Sequence, residues 1–487
     1  STGSPTNQGM NFTGSQMMRM NEVGFDGSID YQRSWGEKGR AFINYQISHA
    51  PNHNDSENEY SGLDTNNPLI AEILRNNRSE TREKSTSHTL MSDITIPLHE
   101  NHLLNTGVKM TADRSESDAR ELEEVEGLTP SPSPTGEGSN IFIEDASRSI
   151  HFVQNQYIAA AYAEWDARWG WFGMKNGLRY EHTWQASRYL KGEGSDFKVN
   201  YGALVPSVSL TANANESNNF GLQYTMRIRR PRINELDPYI NRADPTQLSY
   251  GNPHLDAQHL HHAAFVYTLS KSKLALRMSL NHSWSNDGIT QYSKLIDGRI
   301  NTTYGNLSKN RTTSLNGFIS WGIFCTTRLT VSGEVGYSDM QSDEIEAHNY
   351  GWYGECNAGL QQELPWGIKW NANVEWMSRR QTLQGYESGM TMLSTTLSRS
   401  FCKDRLNVCI SGMTGLGHGG KMVWESVTKS KDFTNTSRYI DNMQDITLGI
   451  SWTFGGTKTK HMDEPMPMDF DESGNGGGKS MRMRHRR

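Results

Sequence analysis

No stretch of the 487 residues approaches the roughly 18 consecutive apolar positions a membrane-spanning helix requires, so a helical membrane protein is excluded. Cysteine is scarce. Cys325, Cys356, Cys402 and Cys409 are too widely spread for a zinc ribbon and too few for a disulfide scaffold, so they read as small apolar fillers, with one disulfide left open. Basic excess is also missing: a net charge of -6 argues against nucleic acid as the main partner. The opening Ser1-Thr2-Gly3-Ser4-Pro5 lacks an initiator Met and the basic and apolar regions of a signal peptide, as expected if a leader was removed or the chain is an internal piece. No Ser, Cys or carboxylate constellation stands in a supporting motif, so catalysis is not expected, although an enzyme could hide among loop residues.

Apolar residues make up 34% of the chain and the mean hydropathy is -0.71, which looks too polar for a membrane. That average misleads, because a strand wall shows lipid a side chain only at alternate positions and wet loops dilute even those. Period-two alternation is what the chain has. Phe220, Leu222, Tyr224, Met226 and Ile228 alternate with Gly221, Gln223, Thr225, Arg227 and Arg229. Val23, Phe25, Ile29 and Tyr31 turn at Gly36-Glu37-Lys38-Gly39 into Ala41, Ile43, Tyr45 and Ile47. Leu90 to Leu98 turn at His99-Glu100-Asn101 into Leu104 to Ala112, and the same rhythm continues to Ile446, Leu448, Ile450, Trp452 and Phe454. Four tryptophans crowd Trp165 to Trp184, as interfacial aromatics would.

Short turns alternate with long polar segments. Pro51 to Lys84 and Asp113 to Ser149, the latter with the acidic run Glu121 to Glu126 and Pro130-Ser131-Pro132-Ser133-Pro134, read as solvated loops. The expected fold is all-β: a transmembrane antiparallel barrel with roughly 17 strands of about 9 to 11 residues and long extracellular loops. A soluble sandwich alternates too, but its outward face is polar. An odd count whose first and last strands both descend predicts a truncated barrel, since bacterial single-chain barrels use even numbers. Residues 1–20 read as a loop or remnant, 21–454 as the barrel, and 455–487 as a disordered periplasmic tail.

One stretch carries more than periodicity. Arg229-Arg230-Pro231, Leu236-Asp237-Pro238-Tyr239, Asp244, Gly251-Asn252-Pro253-His254-Leu255 and the later Tyr304-Gly305-Asn306 resemble the barrel of Bacteroidetes outer-membrane TonB-dependent receptors, in particular the outer-membrane beta-barrel family. The resemblance covers nearly all of residues 20 to 454. It implies a 22-stranded barrel with an N-terminal plug, energised through TonB and importing a scarce solute. No plug or TonB box is visible, and about 5 strands would be missing. Asp256-Ala257-Gln258 stands where relatives commonly carry Pro-Glu, and the aromatic ending Trp452-Thr453-Phe454 is followed by a tail.

Several local patterns were weighed against plain readings. Gly415-Leu416-Gly417-His418-Gly419-Gly420-Lys421 matches the start of a phosphate-binding loop, but Met422 replaces the magnesium-holding hydroxyl, so it reads as a glycine turn. His254, His259, His261 and His262 cluster without completing a metal spacing. His461, Met462, Met466 and Met468 could hold Cu(I), against a disordered tail. Charges on the inner faces, among them Glu164, Asp166, Arg168, Lys175, Arg179 and Glu181, are expected to pair. The sharper expectation is that Arg227, Arg229, Arg230 and Arg232 guide an anionic ligand such as a metal chelate.

The function expected is therefore the barrel part of an outer-membrane transporter or receptor. Its partners would be outer-membrane lipid, an extracellular solute and TonB through an N-terminal region absent here, with no cofactor and no nucleic acid. The alternative is a surface binding or adhesion protein, or a passive pore, anchored by the barrel.

Overall fold

A computed structural model describes residues 11–64, 76–124, 142–146, 148–192, 196–237, 240–244, 247–417 and 419–454. The readings of residues 1–10, of the Pro130 to Pro134 run, of Pro238-Tyr239 and Pro245, of His418 and of the tail from residue 455 lie outside these. In chain order the strands are β1 (Asn11–Glu22), β2 (Phe25–Trp35), β3 (Gly39–Asp64), β4 (Asn77–His99), β5 (His102–Glu124), β6 (Phe142–Glu144), β7 (Ile150–Trp169), β8 (Phe172–Lys191) and β9 (Phe197–Asn215). They continue as β10 (Asn218–Arg229), β11 (Asn241–Asp244), β12 (Gln247–Ser249), β13 (Gln258–Lys271), β14 (Leu274–Ile296), β15 (Arg299–Phe324), β16 (Thr327–Ser342), β17 (Ala347–Leu364) and β18 (Ile368–Met377). The last are β19 (Arg380–Thr382), β20 (Gly385–Glu387), β21 (Met390–Phe401), β22 (Leu406–Gly415), β23 (Lys421–Lys429), β24 (Thr434–Asn442) and β25 (Asp445–Trp452).

Twenty-one of these join one sheet, and β19, β20, β23 and β24 form a second, 4-stranded one. In the large sheet β1 and β2 lie end to end along β3, while β6, β11 and β12 are short additions at the rim, which leaves 17 staves. Each stave pairs antiparallel with its neighbours in sequence order, the up-and-down arrangement of a barrel wall. Among the described residues no ladder joins β25 to β2, so the wall is open.

Alternation decides which way each stave faces. Leu90, Met110, Tyr157, Leu178, Leu204, Leu222, Phe265, Leu280 and Val335 are exposed, and ladder partners such as Leu90 with Met110 or Leu222 with Phe265 share that outer face. The side chains between them point inward and are polar: Arg179, Glu181, Thr183 and Gln185 on β8 are all buried. Oil outside and polarity inside is the reverse of a soluble barrel. Among the described residues no helix is long and apolar enough to cross a membrane.

One rim of the wall has tight connections, such as residues 36–38, 100–101, 170–171 and 272–273. Rings gather there: His102 stacks on Trp165 at 5.7 Å, and Trp169 stacks on Phe172 at 6.0 Å. On the opposite rim the staves rise past the membrane. The polar stretch from Pro51 to Lys84 is not a loop over its described part, because β3 runs to Asp64 and β4 begins at Asn77. Likewise β5 continues to Glu124 through the segment from Asp113 that reads as loop. Apolar residues stop where lipid stops, but the backbone ladder does not; above the bilayer it is reinforced by cross-strand polar pairs such as Asn58 donating to Asn77 at 2.8 Å. β14 and β15 turn at Asp297 and Gly298, whose φ values of 51° and 77° fit a tight hairpin.

The facing predicts a depth-dependent cost. Leu280→Arg should destabilise the membrane-inserted fold by about 2–4 kcal/mol and Ser279→Arg, on the inner face, by far less. Denaturant titration in lipid vesicles reads the difference, and equal costs would contradict this assignment of faces.

Candidate functional site

Between β10 and β13 the chain leaves the wall at Arg230-Pro231, where proline ends strand pairing, and folds back against the inner surface. A single helical turn, Ile233–Leu236, buries Leu236 completely. Beyond it, Gly251 N–H donates to the Asp237 carbonyl at 2.7 Å, β12 pairs in parallel with Ile300 to Thr302 of β15, and Asn252 donates to the Tyr304 carbonyl at 3.0 Å. Asn306 closes the segment by accepting from Asp256 N–H at 2.8 Å and donating back to the Asp256 carbonyl. The residues that carry the family resemblance thus dock one inward segment between β8 and β15.

Arginines pin its start. Arg230 donates to Glu181 at 2.6 Å and to Thr183 at 3.2 Å, and Glu181 also accepts from Arg179 at 2.5 Å. Arg229 is paired with Glu235, whose other oxygen accepts from the Arg232 backbone N–H at 2.9 Å. Of the four arginines expected to guide an anion, Arg229 and Arg230 are therefore engaged by carboxylates, while the side chains of Arg227 and Arg232 are exposed. Glu181 is one of the inner-face charges expected to pair, and it does, although alternation alone did not name Arg230 as its partner. Glu235 was not singled out by sequence reasoning, although it had a local signal, standing three residues after Arg232 at the start of a helical turn as in a capping box. Other inner-face charges pair as well: Lys175 lies 3.2 Å from Asp166 and 3.9 Å from Glu164.

The histidine cluster does not converge. His261 lies flat on Trp284 at 5.0 Å, His262 meets Ser283 at 2.9 Å, and the His254 ring is 6.2 Å from Phe197. His259 is held at the β14 bulge, with Nδ1 2.7 Å from Asp287 Oδ2 and its backbone N–H donating to Oδ1 at 3.0 Å. Ser285 donates to the same carboxylate at 2.9 Å. Burial pushes the Asp287 carboxyl up, but the hydrogen bonds from the His259 ring, the His259 amide and Ser285 outweigh it and leave it below the usual carboxylate range. Among the described residues no group of three or more His, Cys, Asp or Glu is placed to hold a metal ion. The four cysteines are free, so no disulfide forms. The glycine run is a turn between β22 and β23, with Gly415 bridging to Gly420, and no helix follows to cradle a phosphate.

Above the rim, the small sheet of β19, β20, β23 and β24 is locked onto the tall staves. Gln384 brackets Ser293, accepting from its N–H at 2.7 Å and donating to its carbonyl at 3.0 Å. Asn349 donates to the carbonyls of Thr382 and Gly385, each at 2.6 Å, and Lys431 pairs with Glu346. Between them lies an open cleft of about 660 Å³, with Lys294, Arg379, Lys429, Glu344, His348 and Tyr386 on its walls. The Arg379 guanidinium lies over the Tyr386 ring at 4.5 Å. None of these side chains stood out in the sequence, since four separate segments bring them together.

An antiparallel wall with an apolar exterior, tight turns on one rim and a folded crown on the other defines an outer-membrane barrel. The profile described as the outer membrane protein beta-barrel family matches residues 25–452, and the chain belongs to that family. It is an integral outer-membrane protein. No curated protein matches the sequence. Among solved structures, the chain is similar to the ferric yersiniabactin uptake receptor FyuA from Yersinia pestis, with 11% identity and a TM-score of 0.51 over 85% of this chain and 60% of that one. It is also similar to BauA, the ferric preacinetobactin receptor from Acinetobacter baumannii, with 11% identity and a TM-score of 0.55 over 89% of this chain and 63% of that one. The copper transporter OprC gives 10% identity and a TM-score of 0.57 over 91% and 78%. At these identities the likeness is one of fold, and the chain spans less than two thirds of the first two receptors.

Two outcomes follow for the inward segment. Glu181→Ala leaves two buried guanidinium groups without their shared carboxylate and should destabilise by about 3–5 kcal/mol. Amide exchange across residues 230–257 should rise, and Glu181→Leu combined with Arg179→Met and Arg230→Met, which removes all three charges together, should recover much of the protection. Because the folded-state pKa of Asp287 is depressed, its contribution is present above the ordinary Asp value of about 3.9 and is lost as pH falls through the lower folded value. The protection of the His259 amide, its exchange compared with an unstructured peptide at the same pH, should therefore fall on acidification in the native protein and be low throughout in Asp287→Ala.

Proposed function

We propose that the chain is the barrel part of a TonB-dependent outer-membrane receptor that captures a scarce solute at its crown and passes it through the lumen. The crown cleft carries this reading: loops that merely decorate an anchor need not gather four segments around one recess. The names of the similar structures, two ferric-siderophore receptors and a copper transporter, favour a metal-bearing solute. The cleft walls add Lys294, Arg379 and Lys429 beside Glu344, Glu346 and Asp432, and these three cations would meet an anionic chelate. Arg227 and Arg232, whose side chains are exposed, would guide such an anion, while Arg229 and Arg230 hold the inward segment in place.

The open edges of β2 and β25 are completed, in this proposal, by further strands of the same receptor, with a plug inside the wall and TonB as the energising partner. The encoded sequence upstream of Ser1 tests that part: a plug domain and TonB box support transport, and their absence favours a surface anchor or passive pore.

A deletion strain grown on limiting iron chelates, peptides, cobalamin or glycans identifies the solute. The expected outcome is a growth defect on one anionic iron chelate. Arg379→Glu with Lys429→Glu should reduce its uptake about tenfold or more at limiting concentration, the loss of two charge-assisted contacts. Unchanged uptake of every candidate in the deletion strain would overturn the receptor reading.

A further inference from the structure

The outer face of β3 to β9 carries a second recess, unrelated to the crown or the lumen. Ladder partners His88, Ala112, Tyr157 and Trp184 form one row across four staves, with Tyr45 at one end. Because Ala112 and Ala159 are small, the wall is indented between the rings of Tyr45, Tyr157 and Trp184, leaving an apolar groove of about 450 Å³ that opens to the outside. Tyr45 donates to or accepts from His88 Nδ1 at 2.9 Å, which fixes one wall of the groove. The exposure of Tyr157 at 52% and Trp184 at 43% shows that no part of the described chain covers it.

Directly above, on the same outer face, the next rows are cationic. Thr86 is the ladder partner of Arg114, Lys84 of Glu116, Arg82 of Asp118, and Val153 of both Glu116 and Arg188; Lys198 lies opposite Ala186, diagonal to Arg188. At about 3.3 Å per residue, Arg114 stands about 7 Å above the groove along its stave and Lys84 and Arg188 about 13 Å. Acidic side chains share this face. Glu116 lies 3.1 Å from His151 and 3.6 Å from Arg114, and Asp118 lies 3.2 Å from Arg120. Asp196 accepts from the Tyr189 backbone N–H at 2.9 Å. Among the described residues Arg82, Lys84, Arg188 and Lys198 are all exposed and make no ion pair.

An apolar slot at acyl-chain depth with cations at headgroup depth, Arg114 shared with Glu116 while Arg82, Lys84 and Arg188 make no ion pair among the described residues, fits one kind of occupant. We propose that this face is a specific binding site for a phosphorylated, acylated glycolipid of the outer leaflet, with one acyl chain in the groove and its phosphate among Arg82, Lys84, Arg114 and Arg188. The rim with tall staves and long loops faces away from the cell, which places the cations in the outer leaflet and selects a lipid over a soluble anion. Long Lys and Arg stems can reach down the wall toward the phosphate while keeping their heads at the interface. The inference concerns the outside of the barrel and holds whether or not the lumen conducts solute.

Native mass spectrometry of the full-length protein tests it, after exchange into detergent containing equal amounts of a bis-phosphorylated multiply acylated disaccharide lipid, the same lipid treated with phosphatase, and phosphatidylglycerol. The protein should retain the phosphorylated glycolipid about tenfold over its dephosphorylated form. Lys84→Glu with Arg114→Glu and Arg188→Glu should remove that preference. Ala112→Trp should fill the groove and lower retention of both glycolipids, and unchanged heat-modifiable gel mobility would show that each variant keeps its fold. Equal retention of the two glycolipids, full retention by the triple variant, preference for phosphatidylglycerol, or displacement by inorganic phosphate alone would each overturn the proposal.

Discussion

A backbone passing through hydrocarbon has no water to satisfy its N–H and C=O groups, and every other feature of this protein is arranged around that constraint. The antiparallel ladder satisfies them stave by stave, and in doing so fixes a period of two along every strand. Alternate positions must then tolerate lipid on one side and the lumen on the other. The same ladder extends beyond the membrane, because once two neighbours are in register there is little reason to break hydrogen bonds at the lipid boundary. That is how β3, β4 and β5 carry polar sequence well above the bilayer while remaining straight staves.

The constraint also explains what could be read from residues alone. Outer-face alternation at Leu222 with Phe265, or Leu90 with Met110, is set by lipid and is visible in the sequence, so strand number and facing were legible. Strand ends were not, since hydrophobic period vanishes where lipid does, whereas Asn58 and Asn77 pair as well in water as leucines do in oil. The site was less legible still. Arg229 and Arg230 stand out as charges on a strand exit, but the residues that occupy them, Glu235 and Glu181, lie on a new helical turn and on a stave 49 positions earlier. A cation in sequence says nothing about whether a carboxylate already holds it.

That distinction bears on how the receptor divides its labour. The buried pair of Arg230 with Glu181 gives little net stability compared with an apolar contact, but it is costly to break on one side and so suits a fastener that sets geometry. It holds the inward segment against β8, while hydrogen bonds of Asn252 and Asn306 hold its far end on β15. In the function proposed above, solute contact would fall to exposed cations on separate loops, where substitution can change the ligand without disturbing the wall.

The crown obeys a different logic from the wall. Its small sheet is joined to the staves through side chains reaching backbone groups, as Gln384 does at Ser293 and Asn349 at Thr382 and Gly385, and through the exposed pair of Lys431 with Glu346. The exposed ion pair adds little, whereas the Gln384 amide satisfies both backbone groups of Ser293, which is buried, and Asn349 satisfies two carbonyls of the small sheet. A crown held by a few such side chains costs less to separate from the staves than the continuous ladder costs to open. That difference in stability follows from building the crown in water and the wall in lipid.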